Sequence, residues 1–260
     1  MAEGDTILRL ARRIGDALGG EEVAVESPNR RGRAAEVERL NGGMLLAVKA
    51  HGKHLLFDFG DRVLHSHLGM SGSWHLYSRG ERWRRPARSA WAVLSSGAWS
   101  AVQFGGPTLR VLRKAELKLD PALSRLGADI LAAEFDLQAA ARALRSVPER
   151  AIGDALLDQT LVVGIGNIFK SEACFAARAD PFGATGDLSE EELESLLAAT
   201  RRLMVEAVST GRRPGAVYRR AGRPCKRCDT PIAMRGQGDA NRTTYWCPRC
   251  QGSGPAPAGN

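Results

Sequence analysis

Nowhere does the sequence run to about 18 consecutive apolar residues, so it predicts no membrane-spanning helix. Its first residues also lack the apolar core of a secretion signal, because Arg9, Arg12 and Arg13 interrupt them. A cytoplasmic protein is therefore expected. Cysteine is scarce: five residues in 260, too few and too clustered for a disulfide framework in a reducing compartment. No internal repeat is visible. Acidic residues are in the minority, 29 Asp and Glu against 37 Lys and Arg, leaving a net charge of +8 and a pI near 9.7. That balance favours a polyanionic partner. With 43% hydrophobic and 25% charged residues, the composition is that of an ordinary globular protein. The length suffices for one large domain or two to three small ones.

The opening MAEGDTILRL places an acid, Glu3, two residues behind the initiator Met of a basic chain. One explanation is a helix start. Asp5 or Thr6 serves as N-cap, acids favour the first turn, Ile7, Ala11, Ile14 and Leu18 share a face, and Gly19-Gly20 stops the helix. The other is chemical. Ala at position 2 permits removal of Met1, which leaves an α-amine beside a carboxylate.

After the helix over 5–19, the stretch from about 21 to 118 reads as β-rich. MLLAVKAHGKHLLFDFGDRVLHSHLGMSGSW and WAVLSSGAWSAVQFGGPTLRVL show short apolar runs separated by Gly-containing turns. Arg79–Arg88 reads as an exposed basic loop. From about 120 the period becomes helical over 134–145, 149–158 and 167–177. A further helix begins at a Ser189–Glu192 capping box and ends at Gly211. Residues 211–227 carry seven basic and no acidic side chains. The last residues, QGSGPAPAGN, look like a disordered tail.

Cys225-x2-Cys228 and Cys247-x2-Cys250 are 18 residues apart. Each pair sits on a tight knuckle, and two knuckles complete a tetrahedral S4 site, so one structural Zn2+ is expected. The intervening TTYW favours the strand of a zinc ribbon. The alternative, a redox CxxC pair, lacks a surrounding thioredoxin-like βαβ unit. Arg219, Arg220, Arg223, Lys226, Arg227, Arg235 and Arg242 flank the ribbon and suit phosphate contact. The fifth cysteine, Cys174, lies on a helical face with Phe169 and Ala173 and reads as a buried thiol. In VVGIGNIFKSEA, two glycines permit tight turns and Asn167 is expected to cap the following helix, a pattern that suits an anion. Lys53 follows a Gly turn at the mouth of a strand in HGKHLLFDF.

Together these residues resemble the formamidopyrimidine-DNA glycosylase/endonuclease VIII family of base-excision repair. The resemblance rests on AEGDT, the GKH of 52–54, HSHLGMSGSW of 65–74, LGADIL of 126–131, LLDQTLVVGIGNIFKSEA of 156–173 and the ribbon RPCKRCDTPI…NRTTYWCPRCQ. It spans residue 2 to about 251 and is closer to the endonuclease VIII branch. It implies an α+β multidomain fold: an N-terminal helix and β-sandwich over 1–118, a helix–two-turn–helix bundle over 119–211, a zinc-ribbon finger over 212–251 and a tail over 252–260.

The resemblance also implies a bifunctional DNA glycosylase and abasic-site lyase. It would excise oxidised bases, pyrimidines foremost, and nick DNA through a Schiff base on the N-terminal amine. The implied partner is damaged DNA, double- or single-stranded. A monomer with no membrane association, at work on the nucleoid, is expected. Ala2 would supply the amine and Glu3 the proton transfer. Lys53 would bind phosphate and assist elimination. Asn167 and Arg242 would clamp flanking phosphates, Arg242 also aiding the second elimination. Glu172 falls near the lesion, and Met70 would fill the hole left by a flipped base. The family normally carries Pro where this chain has Ala2. A primary amine still forms an imine, but less readily. Two further readings follow: a lesion-binding family member with little catalysis, and, more remotely, a zinc-ribbon DNA-binding regulator.

Overall fold

The computed structural model describes residues 2–252. Beyond Gly252 the expected tail of 252–260 lies outside the described residues, as does Met1. Among the described residues, no helix is long and apolar enough to cross a membrane. The chain divides into two compact units, Met1–Arg125 and Leu126–Asn260.

In the first unit, helix α1 (Gly4–Leu18) is followed by strand β1 (Glu21–Glu26), a short helix α2 (Arg30–Ala34), and strands β2 (Gly43–Leu45), β3 (Ala47–His51), β4 (His54–Asp58), β5 (Arg62–His67), β6 (Ser73–Ser78), β7 (Ala92–Ser96), β8 (Trp99–Phe104) and β9 (Thr108–Arg113). These form a five-stranded sheet, β2-β1-β7-β8-β6, and a four-stranded sheet, β3-β4-β5-β9. The expected face of α1 is buried through Ile7, Ala11, Ile14 and Leu18. It joins one core with Val23 and Leu94 of the first sheet and Leu55, Phe57 and Leu64 of the second. Each such side chain, fully buried, stabilises the fold by about 1.5–3 kcal/mol. The helix starts earlier than the sequence suggests: Glu3, not Asp5 or Thr6, is its N-cap, and the Glu3 carbonyl accepts the N–H groups of Thr6 and Ile7. The Arg79–Arg88 loop is exposed except at Trp83, which stacks on Tyr77. Residues 119–125 stay with this unit, where Asp120 pairs with Arg110.

The second unit contains β10 (Ala128–Asp129), α3 (Leu137–Arg145), α4 (Ile152–Leu157), β11 (Val162–Val163), α5 (Asn167–Ala177), α6 (Glu190–Thr210), β12 (Ala233–Gln237), β13 (Arg242–Trp246) and a terminal turn of helix, α7 (Pro248–Gln251). Leu144, Ile152, Leu156, Phe169, Leu193, Leu197 and Met204 make the helical core. The capping box at Ser189 forms in both directions: Ser189 Oγ accepts Glu192 N–H at 3.2 Å, and Glu192 Oε2 accepts Ser189 N–H at 2.8 Å. Gly211 closes α6 at φ 73°, where an L side chain is strained. β12 and β13 form the antiparallel ribbon, and Phe175 of α5 packs into its core with Val217 and Ile232. Helical bundle and finger thus share one body. Cys174 is buried as expected, and burial pushes its thiol up to about 12, which leaves it inert.

Candidate functional site

Four of the anticipated residues fall in the first unit. Ala2 packs half-buried against the core, and Glu3 beside it is fully buried. The Glu3 side chain makes no capping hydrogen bond, so helix initiation uses the residue's carbonyl and not its carboxylate. α1 lies against β3 and β4, whose two-residue turn is Gly52-Lys53. Gly52 takes φ 56°, a conformation that costs an L residue and lets the hairpin close tightly on Lys53. Met70 is not a core methionine. It is 73% exposed in the turn between β5 and β6, next to Gly69 at φ 55°, where an added Cβ would press on Pro107.

The histidines beside Lys53 form a cluster that no sequence motif marks. His54 Nδ1 lies 2.8 Å from His65 Nε2, and the His54 and His67 rings sit 4.7 Å apart. Arg110 Nε donates to His65 Nδ1 at 3.1 Å, and Arg110 Nη2 donates to Asp120 Oδ1 at 2.6 Å. Burial and neighbouring positive groups push His54 down to about 3 and, with Arg110 facing it, His65 down to about 4. Burial and the charge of Lys53 also lower His67. The signal was present: four of the five histidines fall in 51–67, and antiparallel pairing of β4 with β5 puts His54 opposite His67.

In the second unit, Gln159 knits the turns between α4 and α5. Its Nε2 donates to Leu157 O at 2.7 Å and Ile165 O at 3.2 Å, and its Oε1 accepts Gly164 N–H at 3.1 Å. This delivers Asn167 as the first residue of α5, not as its cap; Gly166 holds the cap position. Asn167 is 5% exposed and donates through Nδ2 to Thr243 O at 2.7 Å, beside Arg242 on β13. One turn on, buried Lys170 donates to Thr244 Oγ1, which in turn donates to Gln237 Oε1 at 2.6 Å. α5 and the ribbon are therefore fastened at the successive residues Thr243 and Thr244, which follow Arg242 on β13. Arg242 is exposed and lines a pocket of about 490 Å3 with Arg150, Asp154, Asp158, Gln237 and Asp239. Burial raises the carboxyl of Asp154.

Glu172 reaches no surface. It is 2% exposed, and its carboxylate accepts three backbone N–H groups, from Ala216, Val217 and Tyr218, at 2.8–2.9 Å. It organises the basic loop after α6. Of the ribbon's basic residues, Arg227 lies 4.0 Å over the Phe175 ring and Arg235 3.6 Å over Phe182, so both are engaged in packing.

The Sγ atoms of Cys225, Cys228, Cys247 and Cys250 all lie within 4.8 Å of one another, unbridged, with Cys228 3.4 Å from both Cys247 and Cys250. Zn–S bonds of about 2.3 Å in a tetrahedron put sulfurs about 3.8 Å apart, so the set fits a zinc ion. The Arg227 N–H points at Cys225 Sγ at 3.4 Å, as a metal-binding knuckle requires.

The chain matches the model of the formamidopyrimidine-DNA glycosylase N-terminal domain over residues 1–105, that of its H2TH domain over 126–216, and that of a zinc finger found in FPG and IleRS over 222–252. It is 42% identical to "Probable endonuclease 8 2" of Streptomyces coelicolor, across 99% of this chain and 96% of that one. It is 33% identical to a protein of Mycolicibacterium smegmatis named DNA-(apurinic or apyrimidinic site) lyase Nei2, across 96% and 99% of the two chains. The crystal structure of MutM (Fpg) from Thermus thermophilus superposes with a TM-score of 0.81 at 30% identity, covering 97% of this chain and all of that one. The chain belongs to the formamidopyrimidine-DNA glycosylase/endonuclease VIII family of DNA glycosylases and abasic-site lyases.

Proposed function

We propose that the protein excises oxidised bases, pyrimidines foremost, from damaged DNA and nicks the strand through a Schiff base on the amine of Ala2. The observation that carries this reading is Glu3: a fully buried carboxylate, directly after the nucleophile, that the helix does not use as a cap. In its neutral form an α-amine, ordinarily titrating near 7.7–8.0, attacks C1′ with its lone pair. The C1′–N bond breaks, and the base leaves with the electron pair. Glu3 moves the proton needed to open the sugar. Elimination at C2′ then releases the 3′ phosphate. Lys53, in its closed turn, holds phosphate and assists the elimination. Asn167 and Arg242 grip the flanking phosphates. Met70, exposed in its turn, fills the hole left by the extruded base. Glu172 acts through the 216–218 loop that it holds. Cys225, Cys228, Cys247 and Cys250 hold one structural Zn2+, since four thiolates leave no open position for chemistry. The protein works as a cytoplasmic monomer on the nucleoid.

Borohydride trapping on DNA carrying an abasic site, with and without an oxidised pyrimidine, tests this. A covalent complex is expected. Ala2→Pro should increase it, because a secondary amine forms the charged iminium more readily. Glu3→Gln should cut base excision by about 10²–10⁴-fold while leaving binding largely intact. If the native protein traps nothing and Ala2→Pro changes nothing, the nucleophile is misassigned, and the reading of a lesion-binding protein without catalysis takes its place.

A further inference from the structure

His51, His54, His65 and His67 gather where β3, β4 and β5 meet the Gly52-Lys53 turn, and the reaction proposed above uses none of them. Two of them belong to a chain of hydrogen bonds with a defined direction. Arginine has only donors. Arg110 therefore donates to both its partners, to Asp120 Oδ1 at 2.6 Å and to His65 Nδ1 at 3.1 Å. A neutral His65 whose Nδ1 accepts must carry its proton on Nε2, and that proton is donated to His54 Nδ1 at 2.8 Å. His54 in turn is left with its proton on Nε2. The groups facing it are His51 across the hairpin, His65 and the tilted His67 ring on β5, and Arg110 on β9, with Lys53 adjoining in the turn. All are basic, so a charged imidazolium is disfavoured there. His54 and His65, pushed down to about 3 and about 4, stay neutral at physiological pH.

We propose that His54 is a neutral contact to the DNA backbone: its Nε2–H, fixed as a donor by the Asp120–Arg110–His65 chain, bonds a phosphate oxygen beside Lys53. The proposal rests on the DNA-repair reading above. A second cation at this crowded spot would be repelled by its neighbours. A neutral donor adds orientation to the charge contact of Lys53 without adding charge.

The test is binding of the full-length protein to a duplex carrying a tetrahydrofuran abasic analogue, followed by fluorescence anisotropy across a range of salt concentrations. His54→Ala should weaken binding about tenfold, the effect of one hydrogen bond to a charged group. It should leave the slope of log K against log salt unchanged, because no counterion is released. Lys53→Ala should instead lower the slope by about one unit. His54→Gln, which restores a donor, should recover most of the affinity. Arg110→Met should mimic His54→Ala, and the double variant should be little worse than either single one. Full affinity in His54→Ala, or a slope change of about one unit, overturns the proposal. If Lys53→Ala has its effect and His54→Ala is silent, this proposal alone fails. If the native protein neither binds nor traps abasic DNA, the DNA-repair reading fails and takes this one with it. Should the variants not fold, 15N NMR of the imidazoles of the native protein near neutral pH still decides: an Nδ1–H tautomer at His54 overturns the assignment.

Discussion

Asn167, the first residue of α5, donates an amide hydrogen to the backbone oxygen of Thr243 on β13, 2.7 Å away. One of its two amide hydrogens thereby anchors the strand that starts at Arg242, and the same anchor aims the other. Helix start and ribbon strand are thus joined by a direct hydrogen bond, and the proposed phosphate roles of Asn167 and Arg242 can be tested separately. Arg242→Ala should lower the salt slope of DNA binding by about one unit. Asn167→Ala should weaken binding at every salt concentration by roughly tenfold and leave the slope alone. An unchanged slope in Arg242→Ala would show that the arginine touches no phosphate.

Glu172→Gln should open the 216–218 loop. The carboxylate accepts three backbone N–H groups, whereas a neutral amide offers one oxygen and two unwanted hydrogens. Hydrogen bonds to charged groups contribute about 1.5–3 kcal/mol each, so a total loss of several kcal/mol is expected. Thermal unfolding and amide exchange at residues 216–218 measure it. Native protection in the variant would mean the loop is held by something else.

Metal analysis should find about one zinc per chain, as an S4 site demands. Removing it with a chelator, or Cys247→Ser, should expose β12 and β13 to protease and weaken DNA binding, while α1 and its sandwich, in the other unit, keep their stability. A metal-free protein with a protected ribbon would refute the site.

Acid should destabilise the first unit well before its carboxylates titrate. The ordinary histidine value is 6.5, and the folded His54 and His65 are held at about 3 and about 4. Between those limits the unfolded chain binds protons that the folded chain refuses, so stability is full above about pH 6.5 and falls as pH drops toward 4. Asp58 and Asp120, both held low by their cationic partners, extend the loss further down. Unfolding temperature followed across this range should fall steadily, and less so in a His54→Gln, His65→Gln double variant. An equal slope in both proteins would assign the pH dependence elsewhere.

Features that depend on near neighbours in the chain are legible in the sequence alone. The apolar stripe of α1, the capping box at Ser189, the stop at Gly211 and the knuckle spacing of the cysteines all arise within a few residues, where local geometry and propensity decide. The hairpin turn at Gly52-Lys53 belongs with them. So does the buried state of Cys174, which its helical face announces.

What the sequence left open depends on partners far along the chain. That Asn167 heads α5 and holds Thr243, that Glu172 serves residues 216–218, and that Arg227 and Arg235 lie on aromatic rings follow from packing across 44 to 76 positions in the first two cases and 52 to 53 in the last. The histidine chain requires β4, β5 and β9 to be in register before His54, His65 and Arg110 meet. A polar side chain written in a sequence carries donors and acceptors but no address for them. Composition and motif alone determined which chemistry this protein has available. Only the folded backbone, by burying some of those groups and leaving others at the surface, decided which of them hold the structure together and which remain to meet DNA.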